Sequence, residues 1–339
     1  MDYVKLTTEN DTHHGYQYKE GLNCLNGEFN NDNVCGFGGL YFCRKEDIGK
    51  WTFYGEKQMH YIWDVKLCED SKIVDMGDKL KTDKFILSNK RSIWDNKELC
   101  NLAVQQYGYA LEFVKPEFMS YEICKLAVQQ NGYALQYVIP ELMSDEICKL
   151  AVRNNGYALY YVKEQTDEIC KLAVQQNGNV LEYVIPELMS DEICKLAVQQ
   201  NSYALKYVKE QTNEICKLAV QQNCDALELV KPEFMSDEIC KFAVSKNCYA
   251  LYYVKEQTDE ICKLAVQQNG YALEFVKPEL MSDEICKLAV QKDGYALKYV
   301  PPELISEEIC KLAVQQNGNI LKYVKEEFRT PELLKLINK

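Results

Sequence analysis

The chain has 339 residues, of which 47% are hydrophobic and 27% charged, and its formal net charge is −12 at pH 7. This length is sufficient for a large buried core and for more than one domain. The sequence begins without an apolar leader and contains no run long enough to span a membrane, which argues against secretion and membrane insertion. We therefore expect a cytosolic protein that does not bind membranes.

Residues 1–95 do not repeat, and their mixture of short apolar runs and turns predicts a small α+β head domain. Residues 7–33 are polar and predict a loop. We expect a short helix from Glu46 to Tyr54, closed by Gly55. The predicted strands are Val4–Leu6, a strand after Gly39 that includes Tyr41, Tyr61–Leu67 and Lys84–Leu87.

The head contains residue types that bind metals, but their spacing is not that of a metal site. Zinc sites usually pair their ligands two to five residues apart, and no C-x-x-C or similar pair occurs here. We therefore predict neither a metal site nor a cofactor. The residues concerned are His13, His14, His60, Cys24, Cys35, Cys43 and Cys68.

From Leu99 onward the motif E-I-C-K-L-A-V recurs with small changes at intervals of 22 or 24 residues. A fixed period above 20 residues is typical of a solenoid, in which each repeat contacts its neighbours. The cysteine marks the period, at Cys100, Cys124, Cys148, Cys170, Cys194, Cys216, Cys240, Cys262, Cys286 and Cys310.

One repeat shows the expected structure. Ser144 is a good N-cap for an amphipathic helix, and Asn155-Gly156 ends that helix, with the glycine in the left-handed conformation. A second, shorter helix begins at about Tyr157. In the 24-residue repeats a P-E-L turn leads to the next cap, whereas the 22-residue repeats lose two residues in this connector and keep both helices.

A single repeat buries too little apolar surface to fold alone, so the repeats must stack. We predict a mostly α-helical fold, an α-solenoid of about ten helix pairs over residues 96–339. Residues 330–339 form a half-repeat cap with Leu334 at the cysteine position. The cysteines lie on the buried face, at spacings beyond the reach of disulfides, and behave as small hydrophobic residues.

The array carries most of the negative charge, a net −10 against about −2 for residues 1–97. This acidity argues against nucleic acid as its ligand. The surface of the second helix differs most between repeats, as expected for a surface that contacts a protein partner. The alternative is that its tyrosines only pack over the groove between repeats. The predicted partner-binding residues are Tyr109, Tyr133, Tyr157, Tyr160, Tyr203, Lys206, Tyr249, Tyr252, Tyr271 and Tyr295.

The array resembles the DUF4116 repeats of giant DNA viruses of amoebae and some bacteria. The residues that carry this resemblance are A-V-Q-Q-N-G-Y-A-L, as at 127–135 and 265–273. The head resembles, in H-H-G-Y-Q-Y at 13–18 and G-G-L-Y-F at 38–42, the domain that precedes repeat arrays in mimivirus-type proteins. The resemblance implies a viral protein of the host cytoplasm, a viral factory or the virion, and it brings no catalytic residues.

The order of elements in the head is also similar to that of ADP-ribosyltransferases with a His-Tyr-Glu triad. This likeness implies that His14 would hold the ribose of NAD and that Tyr41 would stack on nicotinamide. The glutamate of the triad has no clear counterpart, and the nearest acid is Asp83. The head would then be a transferase, active or inactive, to which the array recruits substrate.

The leading hypothesis from the sequence is a non-enzymatic protein–protein interaction scaffold. An ADP-ribosyltransferase-like head and a structural or self-assembling viral protein are the alternatives. The sequence predicts no oligomeric state and does not identify the protein partner.

Overall fold

A computed structural model describes residues 3–32, 38–54 and 57–337 of the chain. Cys35 and Gly55, which entered the sequence predictions, lie outside the described residues. The chain divides into two compact units, Met1–Gln176 and Asn177–Lys339. No helix within the described ranges is both long enough and apolar enough to cross a membrane.

The first unit begins with an antiparallel sheet domain. Its short helices are a 3-10 turn at Lys45–Asp47 and α1 at Ile48–Trp51. The strands are β1 (Tyr3–Thr7), β2 (Thr12–His13), β3 (Tyr16–Gln17), β4 (Gly21–Cys24), β5 (Leu40–Arg44), β6 (Phe53–Tyr54), β7 (Lys57–Gln58), β8 (Tyr61–Leu67), β9 (Ile73–Asp75), β10 (Leu80–Thr82) and β11 (Lys84–Ser92).

Seven of these strands form one sheet in the order β4-β11-β8-β1-β5-β10-β9, while β2–β3 and β6–β7 are separate hairpins. All the pairings are antiparallel, so the sheet can bury one face against its own loops. Its core is largely aromatic, with Tyr18, Leu40, Phe42, Trp63, Leu80, Phe85 and Leu87.

Two predictions for the head were wrong in detail. Residues 7–33 are not only loop, because they contain the β2–β3 hairpin and the edge strand β4. The strands of this hairpin are two residues long, too short for an alternating pattern to show in the sequence. The predicted helix over 46–54 ends at Trp51 and is followed by β6.

The array begins after β11, which ends at Ser92. Each of its full helices has ten residues and carries the repeated motif. They are α2 (Lys97–Gln106), α3 (Tyr121–Gln130), α4 (Asp145–Asn154) and α5 (Asp167–Gln176) in the first unit, and α6 (Asp191–Gln200), α7 (Asn213–Gln222), α8 (Asp237–Lys246), α9 (Asp259–Gln268), α10 (Asp283–Lys292) and α11 (Glu307–Gln316) in the second, followed there by the shorter α12 (Pro331–Ile337).

Each helix of the array begins with the N-cap hydrogen bond that the sequence predicts. The Ser144 hydroxyl accepts a hydrogen bond from the backbone N–H of Ile147 at 3.4 Å, as an N-cap residue should. Ile147, Cys148, Ala151 and Val152 are buried, and this set of four positions is buried in every helix from α2 to α11. The mostly helical repeat array behind a small α+β head is therefore confirmed.

The second element of each repeat is a 3-10 helix rather than an α-helix. Each element has only six residues between two extended ones, and the tighter 3-10 turn is typical of such short segments. These elements are Gly108–Phe113, Gly132–Tyr137, Gly156–Tyr161, Gly178–Tyr183, Ser202–Tyr207, Cys224–Leu229, Cys248–Tyr253, Gly270–Phe275, Gly294–Tyr299 and Gly318–Tyr323.

The glycine after each helix has a different role from the predicted one. Asn155 ends α4 in an extended conformation, with φ −148°, and its side chain accepts a hydrogen bond from the Tyr157 N–H. The positive φ that a left-handed cap needs is absent from the array glycines in the described residues. Instead, a Cβ on Gly132 would lie 2.5 Å from the carbonyl oxygen of Ala151 in the next helix. The glycine therefore allows a close approach between repeats, although Ser202, Cys224 and Cys248 take its place in three of them.

The connectors explain the two repeat lengths. In the 24-residue repeats a 3-10 turn such as Pro140–Leu142 lies between the second element and the next N-cap. In the 22-residue repeats the connector, for example 163–166, lacks this turn, while the ten-residue and six-residue helices keep their lengths. The deletion is confined to the connector, as predicted.

At the end of the array, α12 repeats only the first helix of the motif. Thr330 caps it by accepting a hydrogen bond from the Leu333 N–H at 3.3 Å, and Leu333 is fully buried. Leu334 occupies the position that the cysteine has in the other repeats, yet it is 42% exposed. The buried cysteines of the full repeats therefore depend on covering residues that this half-repeat does not have.

We expect Gly270→Ala to destabilise the second unit, because its Cβ would lie 2.4 Å from the carbonyl oxygen of Ala289. Overpacking of this kind costs ~1–3 kcal/mol. Urea unfolding followed by circular dichroism measures the loss. Ser202→Ala is the matched control, since Ser202 occupies the equivalent position with a Cβ already present. Equal losses in the two variants would contradict the role given to the glycine.

We also expect the array thiols to be unreactive while the protein is folded. Burial raises the pKa of Cys148 to about 11, so at pH 8 only about one thiol in a thousand is the reactive thiolate. Alkylation followed by peptide mass spectrometry should modify the exposed Cys24 first and the array cysteines only in denaturant. Alkylation of Cys148 at the rate of Cys24 in native buffer would show that the stacked interior is open.

Candidate functional site

The turn of the β2–β3 hairpin brings the two predicted head residues together. His14 and Gly15 form this turn, with φ values of 50° and 75°, the left-handed geometry that two-residue hairpin turns require. The His14 ring centroid lies 5.7 Å from that of Tyr41 on β5. Both side chains line one cavity of about 30 Å³.

This cavity lies where β1 and β5 separate. The two strands are in register at Tyr3–Arg44 and Val4–Cys43, and beyond these pairs Lys5 of β1 and Tyr41 of β5 face the cavity. A wider groove of about 570 Å³ adjoins it and shares His13 and His14 as lining residues. The hairpin therefore lines both the cavity of about 30 Å³ and the wider groove of about 570 Å³.

Lys5 is the residue of this site that the sequence analysis missed. It lies on a central strand opposite Trp63 and is only 2% exposed. Its Nζ forms a hydrogen bond with Nδ1 of His13 at 2.8 Å and lies 4.4 Å from the centroid of the Tyr18 ring. Burial lowers the pKa of Lys5 to about 7, while the neighbouring Cys43 opposes this shift. The only signal in the sequence is a lysine inside the short strand Y-V-K-L-T.

The second fully buried lysine, Lys81, is in a different environment. Its ammonium donates to the backbone carbonyl of Asp32 at 2.7 Å and pairs with the carboxylate of the same residue at 3.2 Å. These bonds replace the water lost on burial, which is how buried charges are usually accommodated. Lys81 is therefore a structural ion pair, and it provides an internal comparison for Lys5.

Asp83, the acid nearest to the place of the missing glutamate in the sequence, does not lie at this cavity. Asp83 accepts a hydrogen bond from the Lys72 N–H at 2.9 Å and lines a different surface depression. Among the residues that the structure describes, those lining the cavity of His14 and Tyr41 include no aspartate or glutamate. The cavity is instead rich in basic and aromatic groups, including Lys79 and Trp51.

On the array, the tyrosines that begin the second elements are half-buried or exposed. Where the second element of the next repeat ends in an aromatic residue, that ring and the tyrosine ring meet edge to face. Examples are Tyr133–Tyr161 and Tyr271–Tyr299, with ring centroids 6.3 and 6.1 Å apart. The aromatic residues that end the second elements, such as Tyr161 and Tyr299, are half-buried rather than part of the fully buried core.

The positions with most exposure lie one turn further along the second element. Tyr160 and Tyr252 are 66% and 68% exposed, whereas Tyr203 and Tyr249, which lie at the start of their elements, are 40% and 46% exposed. Around Tyr252 lie Tyr253 and Phe275, with ring centroids 5.2 and 5.7 Å away. This aromatic patch of the second unit protrudes from a surface that otherwise repeats regularly.

The helix N-termini carry a ladder of ion pairs. The Nζ atom of Lys149 lies 2.7 Å from a carboxylate oxygen of Asp145 in its own helix and 2.5 Å from one of Glu168 in the next helix. Lys241, Lys263 and Lys287 repeat this arrangement in the second unit. Exposed pairs of this kind contribute little stability each, ~0–1 kcal/mol. Their regularity indicates a structural surface rather than one that distinguishes partners.

These features define a helical-repeat protein with an N-terminal sheet region. Its sequence matches the domain of unknown function DUF4116 at residues 120–166, 166–213, 191–235, 212–258, 236–281, 258–305 and 282–329. Since these matches cover more than half of the chain, the protein belongs to the DUF4116 family.

Two similar proteins come from Acanthamoeba polyphaga mimivirus. The uncharacterized protein R869 is 49% identical over 55 residues, which are 16% of this chain and 40% of that protein. The putative ankyrin repeat protein R868 is 34% identical over 102 residues, 28% of this chain and 49% of that protein. The matches span half or less of each relative, and no solved structure matches the chain. The expectation of a mimivirus-type DUF4116 repeat protein is confirmed.

Proposed function

We propose that this protein is a non-enzymatic scaffold that binds a protein partner through the exposed residues of its second elements. Its place of action would be the host cytoplasm, a viral factory or the virion of an infected cell. The observation that supports this proposal most directly is the exposure of Tyr160 and Tyr252 on a frame that is otherwise nearly constant from repeat to repeat.

The positions that vary are those a partner could distinguish. The equivalent exposed residue is Tyr160 in one repeat, Lys206 in another and Glu228 in a third, whereas the buried positions keep Ile, Cys, Ala and Val. Because these exposed side chains contact mainly water, packing inside the array does not determine which residue occupies the position. Exposed tyrosines are also common anchors of protein interfaces, because each buries a large ring and keeps a polar hydroxyl.

Charge indicates what kind of partner would fit. The array has a net charge of about −10, and the exposed acids Glu228 and Glu274 occupy, in the neighbouring repeats, the position that Tyr252 of the aromatic patch has in its own. Acidic residues beside accessible rings favour a basic segment, whose Lys or Arg can contact both. One relative carries the name of a putative ankyrin repeat protein, and stacked repeats of that kind present extended binding surfaces.

To test this proposal, a photo-crosslinking residue at position 252 of the full chain would identify the molecule that contacts the patch in lysate from infected cells. The purified partner is then titrated against variants. We expect Tyr252→Ala to weaken binding at least tenfold, because a central interface tyrosine usually contributes more than ~1.4 kcal/mol. The control is Gln291→Ala, an exposed residue of α10 outside the exposed positions of the second elements.

Equal affinity of Tyr252→Ala and Gln291→Ala would reject these positions as the binding surface. A crosslink to a second copy of the chain would instead support the self-assembling alternative. Light scattering over a concentration series would then show growth of the particle.

A second candidate function rests on the cavity of the head. We propose that the head binds NAD, with the ribose at His14 and the nicotinamide stacked on Tyr41, as the likeness to ADP-ribosyltransferases implies, but transfers no ADP-ribose. The 5.7 Å distance between the two ring centroids supports this proposal, because one ligand can reach both residues, and the adjoining groove of about 570 Å³, which His14 also lines, has room for the rest of the ligand. The absence of a carboxyl group from the described lining of the cavity argues against transfer, since that reaction would need the missing acid.

We expect the full chain to bind NAD without forming labelled product, and Tyr41→Ala to weaken that binding. Isothermal titration measures the affinity, and incubation with radiolabelled NAD detects transfer. Tyr252→Ala, which lies on the array, is the control and should bind NAD like the wild type. Wild-type protein that binds no NAD would exclude this second function, and labelled product would show that the head is an active enzyme.

A further inference from the structure

We propose that Lys5 is a reactive amine that forms an imine with a small, negatively charged carbonyl compound in the cavity of the head. This inference does not depend on the array or on NAD. It concerns a group that neither function uses, and it assigns a covalent binding site to the N-terminal sheet.

The surroundings of Lys5 differ from those of a lysine that stabilises a fold. Its Nζ is held by a histidine nitrogen at 2.8 Å and by the face of Tyr18, whereas the other fully buried lysine, Lys81, is held by Asp32. In the described part of the chain, the residues around the cavity carry no carboxylate. The amine is therefore buried at a cavity that offers no carboxylate to stabilise its charged form.

The lowered pKa agrees with this geometry. With a pKa of about 7, roughly half of the Lys5 amines are uncharged at neutral pH, whereas a surface lysine is uncharged in only about one molecule in 2,500. Only the uncharged amine has the lone pair that attacks a carbonyl carbon. Lysines made reactive by burial are the usual site of Schiff-base formation in proteins.

The groups facing Lys5 can move the protons that the reaction requires. The Lys5 nitrogen bonds to the carbonyl carbon, and its proton passes to the carbonyl oxygen to give a carbinolamine. Loss of water then leaves the imine, so the amine and the carbonyl compound yield the imine and one water molecule. His13 lies within hydrogen-bond distance of Nζ and can relay the proton. Tyr18 and the Cys43 thiol, whose pKa burial raises to about 12, also face Lys5, and the titratable residues His14, Tyr41 and Lys79 line the same cavity.

The cavity also indicates the class of compound. Its volume of about 30 Å³ admits only a few heavy atoms. Lys79 extends over the rings of Trp51 and Tyr41, with Nζ 4.5 and 5.5 Å from their centroids, and this places a positive charge at the cavity. A small aldehyde or keto acid with a carboxylate matches both the size and the charge.

The test uses glyoxylate and the full-length wild-type protein at pH 7, with cyanoborohydride to reduce any imine to a stable carboxymethyl-lysine. Peptide mass spectrometry then gives the extent of modification at each lysine. We expect Lys5 to be modified at least tenfold faster than the exposed Lys206, and Lys81 to remain unmodified. Modification of Lys5 no faster than that of Lys206 would overturn the proposal.

Two further measurements test the negative charge of the ligand and the reactivity of the Lys5 amine separately. Lys79→Gln should slow the reaction of Lys5 with glyoxylate several-fold and leave its reaction with the uncharged aldehyde propanal unchanged. Loss of both reactions to the same extent would refute the anionic class of ligand.

The rate of modification at Lys5 should also level off above about pH 7, while the rate at Lys206 continues to rise. A parallel rise at both lysines would refute the reactive amine. These results are independent of partner binding and NAD binding, so failure here leaves both intact.

Discussion

The array depends on one close contact, repeated along the chain, between the backbone of a 3-10 helix and a carbonyl group of the next repeat. At Gly132 and Gly270 a single added carbon would lie 2.5 and 2.4 Å from the oxygen of an alanine in the following helix. Small residues on both sides of the contact let the repeats approach closely and bury the Ile, Cys, Ala and Val of every helix. Where Cys224 replaces this glycine and Phe242 replaces the usual leucine, a cavity of about 200 Å³ lies between α7 and α8.

This contact leaves two surfaces of the array with different freedom to vary. The helix N-termini are tied by Lys149-type bridges from one repeat to the next, so a change there alters two repeats at once. The exposed position of the second element is occupied by Tyr160, Lys206 and Glu228 in different repeats, so residues of different size and charge fit there without disturbing the stack. A partner-binding surface can therefore diversify while the buried frame stays the same. This separation of roles is why the proposed interface lies on the second elements.

The sequence could predict whatever depends on period and polarity. The repeat length, the Ser144 cap and burial of the ten cysteines all follow from one helical pattern repeated ten times. It could not predict the 3-10 geometry, because a six-residue apolar segment fits either helix type. The role of Gly132 was also hidden, since it arises from an atom about twenty residues away in the chain. In the head, Lys5 and His13 meet only through strand pairing and a hairpin turn, which a linear pattern does not show.

The head presents the opposite physical situation from the array, because it keeps a group that its stability does not require. A pKa lowered from 10.5 to about 7 corresponds to about 5 kcal/mol of preference against the charged form of Lys5. An apolar side chain of similar length would fill the same place between Trp63 and Tyr18 without that cost, and such replacements of buried charges are often stabilising. Lys81 avoids the problem by pairing with Asp32, which shows that this sheet can accommodate a buried ammonium when a carboxylate is present. The uncompensated amine is thus better explained by its chemistry, at the edge of a cavity lined by His14, Tyr41 and Lys79, than by its packing.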